Sequence, residues 1–190
     1  MQKKKRSIIM SFLCVAFILL TGCSAGGKNP VVTCDDYEIK LGKTTVADLK
    51  EAGFTNLYAD IEETTLDSMT YDNFYAMKND VSYGTMYAGN KRASRIEFDK
   101  GVIFELSFSY DDPELPLGEV LVNGVNFEGC TREQVKEAMG DAEITLDDEQ
   151  YDYLIFEIGK YEYSFAFEDG SETLTGLRIN DGTEVELSIN

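Results

Sequence analysis

Histidine is absent from the 190 residues. That removes His-based triads, imidazole general bases and histidine metal ligands at once. No G-x-S-x-G, S-x-x-K or C-x-x-C occurs either, so the common serine and dithiol signatures are missing. Cysteine and proline are scarce, at four and three. Positive charge is scarce relative to negative: 17 Lys and Arg face 35 Asp and Glu, for a net charge of −18. Such a surface repels phosphate backbones, which argues against a nucleic-acid partner. Carboxylates are abundant enough to place pairs side by side by chance, and nothing singles out one pair as a glycosidase-like couple. The chain therefore reads as non-enzymatic, with no catalytic residue, cofactor-binding residue or metal ligand assigned. Its 43% hydrophobic and 12% aromatic content is too rich for a disordered chain in spite of the charge.

The first residues do carry positive charge. Lys3, Lys4, Lys5 and Arg6 precede an apolar run from Ile8 to Leu20, which is shorter than the about 20 residues a spanning helix needs. This is the layout of a secretory signal. It ends in Leu20-Thr21-Gly22-Cys23, which resembles the bacterial lipobox, L-x-[GA]-C. The resemblance implies that Cys23 is diacylated on sulfur and becomes the mature N-terminus. It implies residence on the extracytoplasmic face of the cell membrane, with the membrane itself as a partner through the lipid. Two acyl chains at about 0.8 kcal/mol per buried CH₂ hold stably where one does not. Removing residues 1–22 takes four positive charges and no negative ones, so the net charge moves from −18 to −22. Residues 23–35, with Gly26, Gly27 and Pro30, read as a flexible tether, order being expected near Asp36.

Beyond the tether, apolar Val46, Leu49 and Ala52 recur at helical spacing after LGKTT, and Thr45 with Asp48 fits a capping box. Period-two runs then predict strands. In VIFELSFSY, Val102, Phe104, Leu106, Phe108 and Tyr110 alternate with Glu105, Ser107 and Ser109, as in a half-buried antiparallel strand. Asn79-Asp80, Asp169-Gly170 and Asp181-Gly182 read as hairpin turns. The stretch DDPELPLG, residues 111–118, holds two of the three prolines and reads as a linker between halves. The opening pattern then returns. Gly129-Cys130-Thr131 leads REQVKEAMG, with Thr131 and Gln134 at capping-box spacing. A second strand set follows. The expected organisation is a signal at 1–22, the tether at 23–35, and two helix-plus-sheet units at 36–112 and 113–190. The expected fold class is α+β, each unit a short helix or helix pair packed on an antiparallel β-meander.

LGKTT, residues 41–45, invites comparison with a phosphate-binding loop. A Walker loop needs glycine five residues before Gly42, where Tyr37 stands, and the P-loop reading fails there. What the two halves share is a glycine for the turn and a threonine for the cap. Asp111, Asp112 and Glu114, and Asp147, Asp148 and Glu149, cluster hard oxygens that calcium prefers, without the spaced pattern of a dedicated loop. Tyr71, Phe74, Tyr75, Tyr83 and Tyr87 belong either to a sheet core or to a partner groove. With Cys14 in the signal and Cys23 at the lipid site, Cys34 and Cys130 are left as either a disulfide or two separate thiols.

The G-x-T turn, short helix, closing glycine and aromatic meander together resemble the small repeat of BamE-like (SmpA/OmlA) and β-lactamase-inhibitor-protein-like domains. With the lipobox, they are similar to uncharacterised lipoproteins of Gram-positive bacteria. The resemblance implies a non-catalytic module that binds a protein or peptide at the envelope, an envelope or secreted protein being its partner. The alternative is a surface lipoprotein that binds a small ligand or a cation. From the family only the lipidation at Cys23 carries over.

Overall fold

The computed structural model describes residues 29–57, 65–148, 152–169, 171–183 and 187–189. In chain order the elements are β1 (Val31–Cys34), β2 (Tyr37–Lys40), α1 (Val46–Glu51), β3 (Thr55–Leu57), β4 (Thr65–Leu66), β5 (Thr70–Lys78), β6 (Val81–Asn90), β7 (Ile96–Glu97), a 3-10 turn (Phe98–Lys100) and β8 (Val102–Ser109). They continue with β9 (Val120–Val122), α2 (Arg132–Met139), β10 (Glu143–Asp148), β11 (Tyr153–Ile158), β12 (Tyr161–Phe167), β13 (Leu174–Asn180) and β14 (Ser188–Ile189). Among the described residues no helix is long and apolar enough to cross a membrane.

The expectation of an α+β chain, with a helix on its own meander in each of two units, is overturned. The described residues are mostly strand, and their α-helices number two, of six and eight residues. Nor do the strands of the two halves form separate meanders. They join into one nine-stranded sheet of order β10-β11-β12-β13-β8-β6-β5-β14, with β3 also on β5. The seam is the antiparallel pairing of β13 with β8, where Arg178 faces Ser107 and Ile179 faces Leu106. The physical reason is an edge problem. Each meander alone would end on a strand with a row of unpaired amides and carbonyls, and pairing the two ends satisfies both. The sheet is mixed because β14 pairs parallel with β5. Outward from the seam it runs through β6, β5 and β3 on one side and β12, β11 and β10 on the other.

The helices begin as the spacing predicts. Thr45 and Thr131 each close a full capping box, with Asp48 and Gln134 as the returning side chains, so two orphan amides are satisfied at each N-terminus. The cap lies three residues beyond Gly42 but two beyond Gly129; Thr44, equated with Thr131 in the G-x-T reading, instead accepts from the Lys40 amide (2.9 Å). Each cap also bridges to the sheet, Thr45 to Val102 and Thr131 to Thr173.

Order begins before Asp36. Val31–Cys34 is a strand in a small sheet of order β2-β1-β9, and Val32 and Cys34 are fully buried. Apolar residues at alternate positions explain why this stretch folds onto the body. One face of the large sheet, contributing Phe74, Met86, Leu106, Phe165 and Ile179, packs in a single core with Val46 and Leu49 of α1, Val135 and Met139 of α2, and Val32 and Val122 of the small sheet. At Asn79-Asp80 both residues have positive φ (53° and 63°), as the primed turns of two-residue hairpins require. Asp181-Gly182 does not make a hairpin. The chain leaves β13 there and continues to β14 on the far side of β6.

Candidate binding face

The other face of the large sheet is built by the residues between the core positions. Register carries one row across seven strands: Tyr75, Thr85, Ser107, Arg178, Ser164, Ile155 and Leu146. The next row holds Asn73, Tyr87, Glu105, Asn180, Glu162, Glu157 and Glu143. Tyr75, Leu146 and Tyr153 are exposed there, at 37%, 41% and 45%. Where the core face is mainly apolar, this one has a polar centre on the seam and apolar patches on both flanks.

At the centre, Arg178 Nε and Nη2 donate to Glu105 Oε1 and Oε2 at 2.6 and 2.7 Å. Such a two-pronged, charge-assisted pair fixes both side chains in orientation as well as in place. The Glu105 side chain is 1% exposed and that of Arg178 40%, so the guanidinium lies over the carboxylate as a lid. Beside them Glu162 Oε1 accepts from Asn180 Nδ2 and from Ser164 Oγ, both at 3.2 Å. On one flank Tyr71, Tyr87 and Phe104 form a ring cluster with centroids 5.6 to 6.3 Å apart. On the other stand Tyr153, Ile155 and Leu146.

Phe104 corrects the expected strand pattern. A bulge on β6–β8 pairs Tyr87 with Glu105 and Ala88 with Ile103. Ile103 therefore takes the core position, while Phe104, buried but outside the main core cluster, meets Tyr71 and Tyr87. A bulge places two residues opposite one and re-aims a side chain, which strict alternation does not foresee. Leu187 reaches over Gly89 at this corner, where a Cβ on the glycine would sit 2.6 Å from its Cδ1 and 3.1 Å from Phe104. Glycine is what lets the chain close over the ring cluster.

The five aromatics singled out in the sequence divide. Tyr71, Tyr75 and Tyr87 lie on this face. Phe74 and Tyr83 are core residues, 1% and 6% exposed, packed on Phe98 and Phe54 with centroids 5.8 and 5.5 Å apart. The Glu105–Arg178 pair was not anticipated. Its partners stand 73 positions apart, and only the seam register brings them together.

The acidic clusters find their partners within the chain. Asp111 accepts from Ser109 Oγ (2.9 Å), and Asp112 Oδ1 accepts from the Glu114 and Leu115 amides (2.9 and 3.2 Å). Asp147 is held by Lys136 and Arg132 at 2.6 and 2.8 Å. The hydrogen bond from Lys136 chiefly keeps its carboxyl below the ordinary carboxylate range, against some desolvation. Among the described residues no group of three or more acidic or thiol side chains converges to hold a metal ion. Cys34 and Cys130 are buried thiols not joined in a disulfide, and burial pushes the Cys34 thiol up to about 12. Cys23, the residue the lipobox resemblance marks for lipidation, and Glu149 lie outside the described residues.

Comparison with family models, curated proteins and solved structures finds no match to this chain. The resemblance to BamE-like lipoproteins accordingly rests on the quoted motifs.

Proposed function

We propose that this chain is an extracytoplasmic lipoprotein, anchored to the membrane through Cys23, that acts as a non-catalytic binding module for a protein or peptide. The signal layout and the lipobox support the anchor. The observation that supports the binding role is the second face of the nine-stranded sheet. Among the described residues no strand or helix layer covers it, and Tyr75, Tyr153 and Leu146 remain exposed on it. Tyrosines around a fixed ion pair provide amphipathic anchors at low entropy cost. The row ending in Glu162, Glu157 and Glu143, on a chain of net charge −18, makes a cationic protein segment the complementary occupant.

The test is site-specific photo-cross-linking in the native cell. The cross-linking residue replaces Tyr75 or Ser164 on the face, and Glu137 on α2 as the control. Capture of the same basic protein from both face positions, and not from Glu137, is the expected result. Equal capture from all three, or none from the face, overturns the reading.

A further inference from the structure

A strand at the end of a sheet turns half of its backbone donors and acceptors outward. The large sheet has two ends, and they differ. At one, two short strands share the outer side of β5, β3 along residues 75–77 and β14 along residues 70 and 71. At the other, β10 pairs with β11, and among the described residues no strand pairs with its outer side. Five of the six β10 residues are exposed and the last is half-buried.

Bulges and charges commonly shield such an edge. β10 has both, yet it also presents an apolar side chain on each face. The ladder slips between Ile144 and Leu146. Without the slip, residues two apart would share a face. With it, Ile144 extends the core row of Phe156, Tyr163 and Ile179, while Leu146 extends the opposite row of Ile155, Ser164 and Arg178. Phe156, Tyr163 and Ile179 are at most 1% exposed, but Ile144 is 45% exposed because its row runs out there. One more strand would cover both apolar side chains and pair the outward amides and carbonyls.

The charge around the edge selects what that strand is. On the face that Leu146 shares, Glu162, Glu157 and Glu143 stand opposite one another on three neighbouring strands. Like charges so placed destabilise a sheet, and a cationic side chain beside Glu143 offsets that. On the core side Asp147 is already held by Lys136 and Arg132. A second copy of this chain suits the edge poorly. If two β10 strands paired antiparallel along their length, Glu143 would face Asp148 and Ile144 would face Asp147.

We propose that β10 takes up an extended segment of a basic partner protein as one further strand. One apolar residue of the segment lies against Ile144, another against Leu146, and a Lys or Arg against Glu143. Main-chain hydrogen bonds supply the affinity of such strand addition, and alternate side chains supply its specificity. This role rests on the chain being a protein-binding module, and it places part of the grip at the edge of the sheet.

The test is selection of a random peptide library, displayed on phage, against the full-length chain in non-ionic detergent. Enriched peptides are synthesised with N-methyl groups on one or the other alternate set of backbone nitrogens, and their affinities are measured by fluorescence anisotropy. The expected peptides combine apolar residues with Lys or Arg. N-methylation of one set weakens them about tenfold or more, and of the other set does not. Ile144→Lys and Glu143→Lys weaken them by about as much, whereas Glu137→Lys, the same charge change on α2, leaves affinity within about twofold. Ile144 and Glu143 are exposed, so these variants leave the core intact, which an unchanged melting temperature checks. Basic peptides that tolerate both N-methylated sets and both edge variants, but are weakened by Tyr75→Ser, bind the sheet face alone; the edge proposal then falls and the face reading stands. Enrichment of acidic or uncharged peptides, or no enrichment over a blank support, overturns the proposal, and capture from the face positions in the cell decides the face reading separately.

Discussion

Arg178→Ala is the substitution that probes the seam most directly. It leaves the Glu105 carboxylate, 1% exposed, without the two hydrogen bonds at 2.6 and 2.7 Å. Removing one partner of a fully buried pair costs ~3–5 kcal/mol, because the other charge stays behind unpaired. Arg178 is 40% exposed, so truncating it lets water reach the carboxylate, and screening reduces the expected loss to about 2 kcal/mol. For a body of this size that lowers the melting temperature by about 4–8 °C. Thermal and urea unfolding of the variant beside the parent give the number. Arg178→Lys, which keeps the charge but loses the fork, should fall in between. The double variant Glu105→Gln with Arg178→Met should recover most of the loss, because no buried charge is then stranded. A loss under about 0.5 kcal/mol for Arg178→Ala, within the range of ordinary surface changes, refutes the view that the pair locks the seam. So does a double variant as unstable as the single.

Two further outcomes follow from the anchor and the core. Cys23→Ala should remain unlipidated and leave the membrane fraction on carbonate extraction; a variant that still sediments with membranes contradicts the anchor. Native Cys34 should resist thiol reagents at pH 8 and react once the chain is unfolded, because burial favours its neutral form. Its folded value of about 12 lies above the ordinary 9.0, so its contribution to stability is whole below pH 9. From pH 9 to 12 it is lost by about 1.4 kcal/mol per pH unit, as the unfolded thiol ionises first. Unfolding curves at pH 8 and 10.5 check the sign, and greater stability at the higher pH contradicts it.

Local features of this fold were legible in the sequence because their causes are local. Capping boxes at Thr45 and Thr131 follow from side chains three residues apart. The Asn79-Asp80 turn follows from residues that tolerate positive φ. Strand character followed from period two. Pairing did not, because a strand's edge does not name its partner. The sequence alone therefore divides the chain at residues 112 and 113, although β8 of the first half pairs with β13 of the second. Val31–Cys34 was assigned to a tether because its neighbours are small and polar, while the strand that buries it, β9, lies some ninety positions away. The sheet-face aromatics were half legible. Alternation puts Tyr71 and Tyr75 together, but the bulge that sends Phe104 to join them is a property of two strands at once.

The parallel pairing of β14 with β5 has a kinetic side. Ser188 lies opposite Thr70, and Val122 opposite Val32, so two strands early in the chain are completed by strands made much later. Closing loops of that length before any contact repays them slows folding. A chain emerging from a ribosome or a translocation pore would hold β5 with part of one edge bare until residue 189 had appeared. During that interval the exposed edge is open to wrong strands. A protein built this way keeps that edge open until β14 is delivered, and the rate at which that strand arrives becomes part of how it reaches its shape.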